Sequence, residues 1–126
     1  MTSRDPKTTL TPLPASILSQ GPNLIVSIHT ALDDEQLTRL QKDLLDRVGR
    51  ERSRGILIDV AAVDVLDSFA ARTLADLAYM ARLRGAETVV VGIAPDVAMA
   101  LVRLAVQMPL VRTALDLEEG LRCLST

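Results

Sequence analysis

One serine in the middle of the chain lies beside two carboxylates at the start of a helix-like segment. The stretch DVLDSFAARTL, residues 64–74, places Asp64 and Asp67 just before Ser68. A serine or aspartate at such a position commonly caps the helix, because its side-chain oxygen accepts a hydrogen bond from an otherwise unpartnered backbone N–H group. These N–H groups and the partial positive charge of a helix N-terminus also suit a phosphate attached to the serine. The residues therefore predict either an N-cap, formed by Ser68 or Asp67, or a phosphorylation site at Ser68.

A catalytic role for Ser68 would need a general base, and His29 is the one histidine of the chain. A hydrolase nucleophile elbow has small residues two positions before and two positions after the serine, whereas Leu66 and Ala70 flank Ser68. We expect His29 near the end of an edge strand, where a half-exposed structural histidine is ordinary. A serine hydrolase is thus a remote alternative, and it predicts a hydrogen bond between His29 and Ser68.

The hydrophobic pattern predicts the elements that precede Ser68. Two short strand-like runs flank a break at residues 20–23 and indicate a hairpin. A first helix is expected over about residues 33–50, with Asp33 and Gln36 in the positions of a capping box. Residues 55–60 form a continuous run that is typical of a strand covered on both faces. The inward face of the first helix consists of Leu37, Leu40, Leu44, Leu45 and Val48.

The pattern continues in the same alternation after Ser68. A second helix over residues 68–85 should end at Gly85, and a second buried strand should follow over residues 88–93. A third helix is expected to begin at Pro95 and to stop before Pro109. Its apolar stripe consists of Val97, Leu101, Leu104, Ala105 and Met108.

The chain should close with a short strand and a short helix. The strand is expected over residues 111–114, and Asp116 with Glu119 should cap the helix after it. The predicted order is ββαβαβαβα, a mixed α/β sheet entered by a hairpin with helices packed against it. We expect one such domain over residues 13–126, after a flexible tail of residues 1–12.

Composition excludes several classes of partner. The chain has 126 residues and a net charge of −2, so it lacks the basic stripe that nucleic-acid binding needs. A single cysteine, Cys123, cannot form an internal disulfide and has no suitably spaced metal ligands, which fits a reducing compartment. No apolar stretch approaches the roughly 18 residues of a membrane helix, and the first residues lack the apolar core of a signal peptide. We therefore expect a cytoplasmic protein with no metal and no membrane contact.

The glycine and lysine positions argue against the nucleotide chemistry common on α/β folds. No G-x-G-x-x-G motif follows a strand, and neither Lys7 nor Lys42 lies in a P-loop. A response-regulator aspartate would need a later lysine, and none follows Lys42. We expect a protein that is not an enzyme and needs no cofactor.

The stretch ILIDVAAVDVLDSFAARTLADLAYMARLRGAETVVVGIAPDVAMALV resembles the STAS domain of anti-sigma-factor antagonists and sulfate transporters. The specific marks are DVLDS at residues 64–68, GAETVVVGIAP at 85–95, ALDLEEGL at 114–121 and ALDDEQ at 31–36. The resemblance covers residues 17–124. Within the STAS family, the chain resembles the small scaffold antagonists of the bacterial stressosome more narrowly. This resemblance implies the STAS fold, which agrees with the predicted element order.

The resemblance also implies a function and a set of partners. The serine matching Ser68 is phosphorylated in the family by a serine/threonine kinase of the anti-sigma type, which the unphosphorylated scaffold holds captive. The resemblance implies that the carboxylates of Asp64 and Asp67 border this site. We expect Phe69 and Arg72, which lie within one helical turn of Ser68, to belong to the partner-binding residues as well. Further implied partners are a sensor-bearing STAS paralogue, other copies of the chain in a dimer and a larger shell, and a phosphatase that resets Ser68.

Two departures from the family bear on its subtype. Simple soluble antagonists commonly carry Ser-Gly after the phosphoserine, whereas Phe69 and Ala70 stand here. Val102 stands where some co-scaffold paralogues have a second phosphorylatable threonine. These features favour a minimal stressosome scaffold with one switch over a simple anti-anti-sigma factor, and a purely structural assembly subunit remains a further alternative.

Overall fold

The computed structural model describes residues 14–103 and 108–125, and its centre is a mixed five-stranded sheet. The strands are β1 (Ala15–Gln20), β2 (Asn23–Ile28), β3 (Gly55–Asp59), β4 (Glu87–Val91) and β5 (Val111–Ala114), and they lie in this order across the sheet. The strand β1 pairs antiparallel with β2 as the predicted hairpin, and the other neighbours are parallel.

Helices connect the parallel strands, as the alternating pattern predicted. The described helices are α1 (Asp34–Glu51), α2 (Ser68–Leu83), α3 (Pro95–Arg103) and α4 (Leu117–Ser125). The predicted capping box of α1 is present, because Asp33 Oδ1 accepts from the Gln36 N–H at 2.7 Å and Gln36 Oε1 accepts from the Asp33 N–H at 3.0 Å. The observed fold is therefore the α/β arrangement predicted from the sequence.

The sheet is covered on both faces, which explains the continuous apolar run of β3. One face packs against α1 and α2, where Leu44 and Leu77 join Ile56 and Ile58 in the main core cluster. The other face packs against α4 and buries Leu57 among Ile25, Val89 and Val91. The helix α3 packs outside this sandwich, where Val97 and Leu101 contact Ala71.

Two strand ends differ from the prediction by one or two residues. The strand β4 ends at Val91 rather than at residue 93, because Gly92 adopts a left-handed φ of 81° that turns the chain away. The strand β3 ends at Asp59 rather than at Val60, and the Asp59 Oδ1 atom accepts from the Ala61 N–H at 2.9 Å. Both turns lie at the carboxyl end of the sheet, directly before segments that lead to α2 and α3.

Several predictions concern positions that lie outside the described residues. These are the flexible tail of residues 1–12, Leu104 and Ala105 in the third helix stripe, and the first and last residues of the predicted domain.

Candidate functional site

The loop between β3 and α2, residues 60–67, presents Ser68 at the carboxyl end of the sheet. Val60 and Val63 are buried and hold the loop down, since the Val60 N–H donates to the Val91 carbonyl and the Val63 N–H donates to the Val60 carbonyl. Ala61 lies against Gly92, where an added Cβ would come within 2.9 Å of the Ala61 Cβ and 3.0 Å of the Ala61 backbone nitrogen. The anchored loop leaves Asp64 and Val65 exposed beside the start of α2.

Asp67, and not Ser68, is the N-cap of α2. The Asp67 Oδ1 atom accepts a hydrogen bond from the Ala70 N–H at 2.8 Å, and its carbonyl accepts from the Ala71 N–H at 3.0 Å. Ser68 is the first helical residue and is partly buried. Within the described ranges, its hydroxyl forms no hydrogen bond. Of the two capping residues that the sequence allowed, the structure selects the aspartate and leaves the serine hydroxyl uncommitted.

The first turn of α2 retains unpaired hydrogen-bond donors. The backbone N–H groups of Ser68 and Phe69 donate to no other residue in the described part of the chain. Such donors, together with the helix dipole, favour an anion at the helix N-terminus. A phosphate esterified to Ser68 would therefore stand next to two free N–H groups.

The other predicted site residues lie at the start of α2 or directly before it. Asp64 is exposed in the loop, three residues before Asp67. Arg72 is exposed one helical turn after Ser68, and among the described residues it forms no ion pair. Phe69 is 40% exposed, an unusual position for the one phenylalanine of the chain. The structure thus brings Asp67, Ser68, Phe69 and Arg72 together on α2, with Asp64 in the adjoining loop.

Exposed apolar side chains on the loop before α2 and on α3 were not singled out from the sequence. Val65 in the loop is 65% exposed, and Met99 on α3 is also exposed. The helix α3 packs against Ala71 of α2 through Val97 and Leu101. Val102, considered as the position of a second switch, is 79% exposed on the same helix. The signal for Met99 was available, because it lies off the buried stripe formed by Val97 and Leu101.

A small apolar cavity of about 80 Å³ lies under the loop and the first turn of α2. Its walls include Val63, Leu66 and Ala70, together with Leu32 and Leu37 from the segment around α1. Asp67 also lines this cavity, so the residue that caps α2 borders both the exposed site and the apolar interior.

His29 does not form the contact that a serine hydrolase requires. Its Nε2 atom lies 3.2 Å from the Ser16 hydroxyl oxygen, and no hydrogen bond joins His29 to Ser68. The structure therefore contradicts the hydrogen bond that the hydrolase alternative predicted.

Across residues 14–103 and 108–125, no group of three or more His, Cys, Asp or Glu side chains is placed to hold a metal ion. In the same ranges, no helix is long and apolar enough to cross a membrane.

The fold and the loop before α2 match a known family. The family model of the STAS domain matches residues 15–120, and the chain belongs to this family. A sequence relative, the RsbT co-antagonist protein RsbRA of Bacillus subtilis (strain 168), is 30% identical over 98 residues. That match covers 78% of this chain and 36% of RsbRA, so the chain spans about a third of that relative's length.

Solved structures of stressosome proteins are also similar to the chain. A serine-to-glutamate variant of RsbS from Moorella thermoacetica is 31% identical, with a TM-score of 0.77 over 88% of this chain and 94% of the other. A chain in a solved structure of the stressosome, described as a signal integration and transduction hub, is 28% identical to this chain. Its TM-score is 0.71, over 87% of this chain and 96% of the other. These matches confirm the resemblance to the STAS family and to its stressosome members.

Proposed function

We propose that the chain is a stressosome scaffold that binds a serine/threonine kinase and releases it when Ser68 is phosphorylated. The observation that carries this proposal is the division of roles at the start of α2. Asp67 caps the helix, so the Ser68 hydroxyl is not needed for capping and is left for modification. The similarity to RsbS and to a stressosome chain supports the same role. The solved RsbS carries glutamate in place of a serine, a change that adds negative charge.

The proposed kinase surface consists of Asp64, Asp67, Phe69 and Arg72 around Ser68. Phe69 and the neighbouring Val65 supply exposed apolar area, which is what the centre of a protein interface requires. The two aspartates and Arg72 supply charges that fix the orientation of a partner. A kinase surface that fits this arrangement would meet a neutral hydroxyl at its centre.

Phosphorylation would change the charge of this surface without refolding the protein. A phosphate adds about −1.5 to −2 charge beside Asp64 and Asp67, which are already negative. The free N–H groups of Ser68 and Phe69 can hold phosphate oxygens in place, and Arg72 offsets part of the charge. The added negative charge repels the bound kinase, and burying it in the interface without a partner costs desolvation energy. A loss of only about 1.4 kcal/mol of binding free energy weakens binding tenfold.

The wider role would be stress signalling in the cytoplasm. The scaffold would assemble with itself and with sensor-bearing STAS paralogues, in keeping with its similarity to a chain of the stressosome. A phosphatase would reset Ser68. A simple anti-anti-sigma factor remains the second candidate. Phe69 and Ala70 after the serine, in place of the Ser-Gly common in simple antagonists, favour the stressosome type over it.

Co-incubation with candidate kinases and ATP, followed by mass spectrometry, tests the proposal. We expect one phosphate on wild-type protein, located on Ser68, and none on Ser68→Ala. Thr73 is a matched internal control, since its hydroxyl already donates to the Phe69 carbonyl at 2.8 Å. Phosphorylation of Thr73 or of a distant residue, with Ser68 unmodified, would contradict the proposal.

A further inference from the structure

An arginine-lined cavity lies at the edge of the sheet opposite Ser68. Ser68 follows the carboxyl end of β3, whereas this open cavity of about 450 Å³ lies where the chain enters β3. Its charged and polar walls are Arg52, Ser53, Arg54 and Arg84, and we call it the basic cavity. Val48 and Leu83 add apolar surface to it, and no carboxylate lines it. Its volume falls in the range of small-molecule sites, about 300–1,000 Å³.

The arginines of the basic cavity have no acidic partners. Across the described ranges, no carboxylate oxygen lies within 4.0 Å of the Arg52, Arg54 or Arg84 guanidinium groups. Glu51 and Glu87 are the carboxylates nearest in sequence to the cavity, and other arginines engage both. Arg52, Arg54 and Arg84 are exposed, so their guanidinium groups are open to an anion from solvent.

The negative ends of two helices offset only part of the positive charge of these arginines. Arg52 and Arg84 are the C-cap residues of α1 and α2, and Arg84 Nη1 donates to the Leu45 carbonyl at 2.9 Å. Each helix C-terminus carries about half a negative charge. Three guanidinium groups beside two helix ends therefore leave an excess of about two positive charges.

Ser53 adds a hydrogen-bonding group that is independent of the arginines. The residue is 5% exposed and lines the cavity. Its backbone N–H donates to the Val48 carbonyl at 3.2 Å, but its hydroxyl has no hydrogen-bond partner within residues 14–103 and 108–125. A hydroxyl on the wall of the cavity can donate a hydrogen bond to a ligand there.

Arg52 has a backbone conformation that other residue types adopt more easily than arginine does. Arg52 has a left-handed φ of 53°, the one positive φ among the described non-glycine residues. Glycine or asparagine would adopt this C-terminal conformation more easily. Gly49 also matters, because a Cβ there would come within 2.9 Å of Arg84 Nη1. The helix thus leaves room for the Arg84 guanidinium at the cavity wall.

We propose that the basic cavity binds a phosphate group, either as inorganic phosphate or as the phosphate of a small monoester. Guanidinium groups present paired donors that match phosphate oxygens, and the Ser53 hydroxyl supplies a further donor. Leu83, which is 71% exposed, offers an apolar surface for the organic part of an ester. The site is separate from Ser68 and does not depend on the kinase-binding function.

The binding test is a titration of the ¹⁵N-labelled full chain with inorganic phosphate, followed by NMR at constant ionic strength. We expect saturable shifts of the Ser53, Arg54 and Gly85 amide signals that chloride does not produce. Adenosine monophosphate forms the second arm. Tighter binding than inorganic phosphate identifies a monoester as the ligand class, and equal or weaker binding identifies free phosphate.

Variants separate a phosphate site from a nonspecific charge effect. Arg54→Gln and Arg52→Gly should each weaken phosphate binding about tenfold, or ~1.4 kcal/mol. Arg52→Gly relieves the left-handed backbone, so its melting temperature should equal or exceed that of the wild type. Arg39→Gln, which removes the same charge from the exposed Glu35 pair on α1, should bind as the wild type does. Shifts that chloride reproduces, or full binding by both cavity variants, would overturn the proposal.

Discussion

Asp67 Oδ1 accepts a hydrogen bond from the Ala70 N–H at 2.8 Å, so the residue before Ser68 caps helix α2. Serine and aspartate are both strong N-cap residues, and the sequence alone allowed either one. With the cap assigned to Asp67, the hydroxyl of Ser68 can change its chemistry while the helix keeps its N-terminus. Structural support and the proposed switch are thereby divided between two adjacent side chains.

The division predicts different stabilities for two neighbouring alanine variants. Asp67→Ala should lower the free energy of unfolding by about 1 kcal/mol, because the Ala70 N–H loses its acceptor. Ser68→Ala should change it by less than about 0.5 kcal/mol, since no cap is lost. Urea titrations of both variants measure this difference. Equal losses would mean that Ser68 also supports the helix start.

Thr88 offers a test of the core. It is 1% exposed on β4, and its hydroxyl has no hydrogen-bond partner within the part of the chain that the structure describes. Thr88→Val replaces this hydroxyl with a methyl group of similar shape and should stabilise the protein by about 1 kcal/mol. Thermal melts should show a rise of about 4 °C. Thr113→Val, at an exposed position on β5, is the matched control, and its free energy of unfolding should stay within about 0.5 kcal/mol of wild type. A lower stability of Thr88→Val than of wild type would contradict the assignment of the Thr88 hydroxyl as unpaired.

A hydrogen-bonded cluster between β1 and α1 predicts a pH effect. The Ser19 hydroxyl donates to Glu51 Oε1 at 2.6 Å and Arg47 Nε donates to Glu51 Oε2 at 2.9 Å. These hydrogen bonds, that from Ser19 first, hold the pKa of Glu51 below its ordinary value of 4.5. Its contribution to stability is therefore present above the unfolded pKa and is lost as pH falls through the lower, folded pKa.

We accordingly expect Glu51→Gln to be less stable than wild type near neutral pH and the difference to shrink in acid. Urea titrations at about pH 7 and about pH 3.5 measure it. Glu35→Gln, which alters a solvent-exposed pair with Arg39, should show little change at either pH. A difference for Glu51→Gln that grows on acidification would contradict this assignment.

Most of the fold could be predicted from the sequence because local signals agreed with tertiary packing. The hairpin break at residues 20–23, the Asp33 and Gln36 capping box and the strand at residues 111–114 all appear as predicted. The end of β4 was placed too late, because the apolar pattern continues through Ile93 while the chain turns at Gly92. The apolar pattern of a sequence indicates which residues are buried, but it does not indicate the backbone φ angle at which a strand ends.

The functional site was predictable only in part. The segment DVLDS identified the loop and its serine, but adjacent capping residues cannot be ranked by type, since the choice depends on which oxygen faces the free N–H group. The basic cavity was not predicted. Its residues come from the ends of two helices that lie far apart in sequence, and the sheet brings them together only in the folded protein.

The most direct test of the proposed switch is the affinity of the partner kinase for four folded forms of the protein, with thermal melts as the control for folding. Unphosphorylated wild type and Ser68→Ala should bind equally well, because a missing hydroxyl adds no charge. Protein phosphorylated on Ser68 should bind at least about tenfold more weakly, a loss of ~1.4 kcal/mol, and Ser68→Asp should fall between, because a carboxylate carries less charge than a phosphate. Equal affinity of the kinase for all four forms would contradict the switch and leave Ser68 without a role in release.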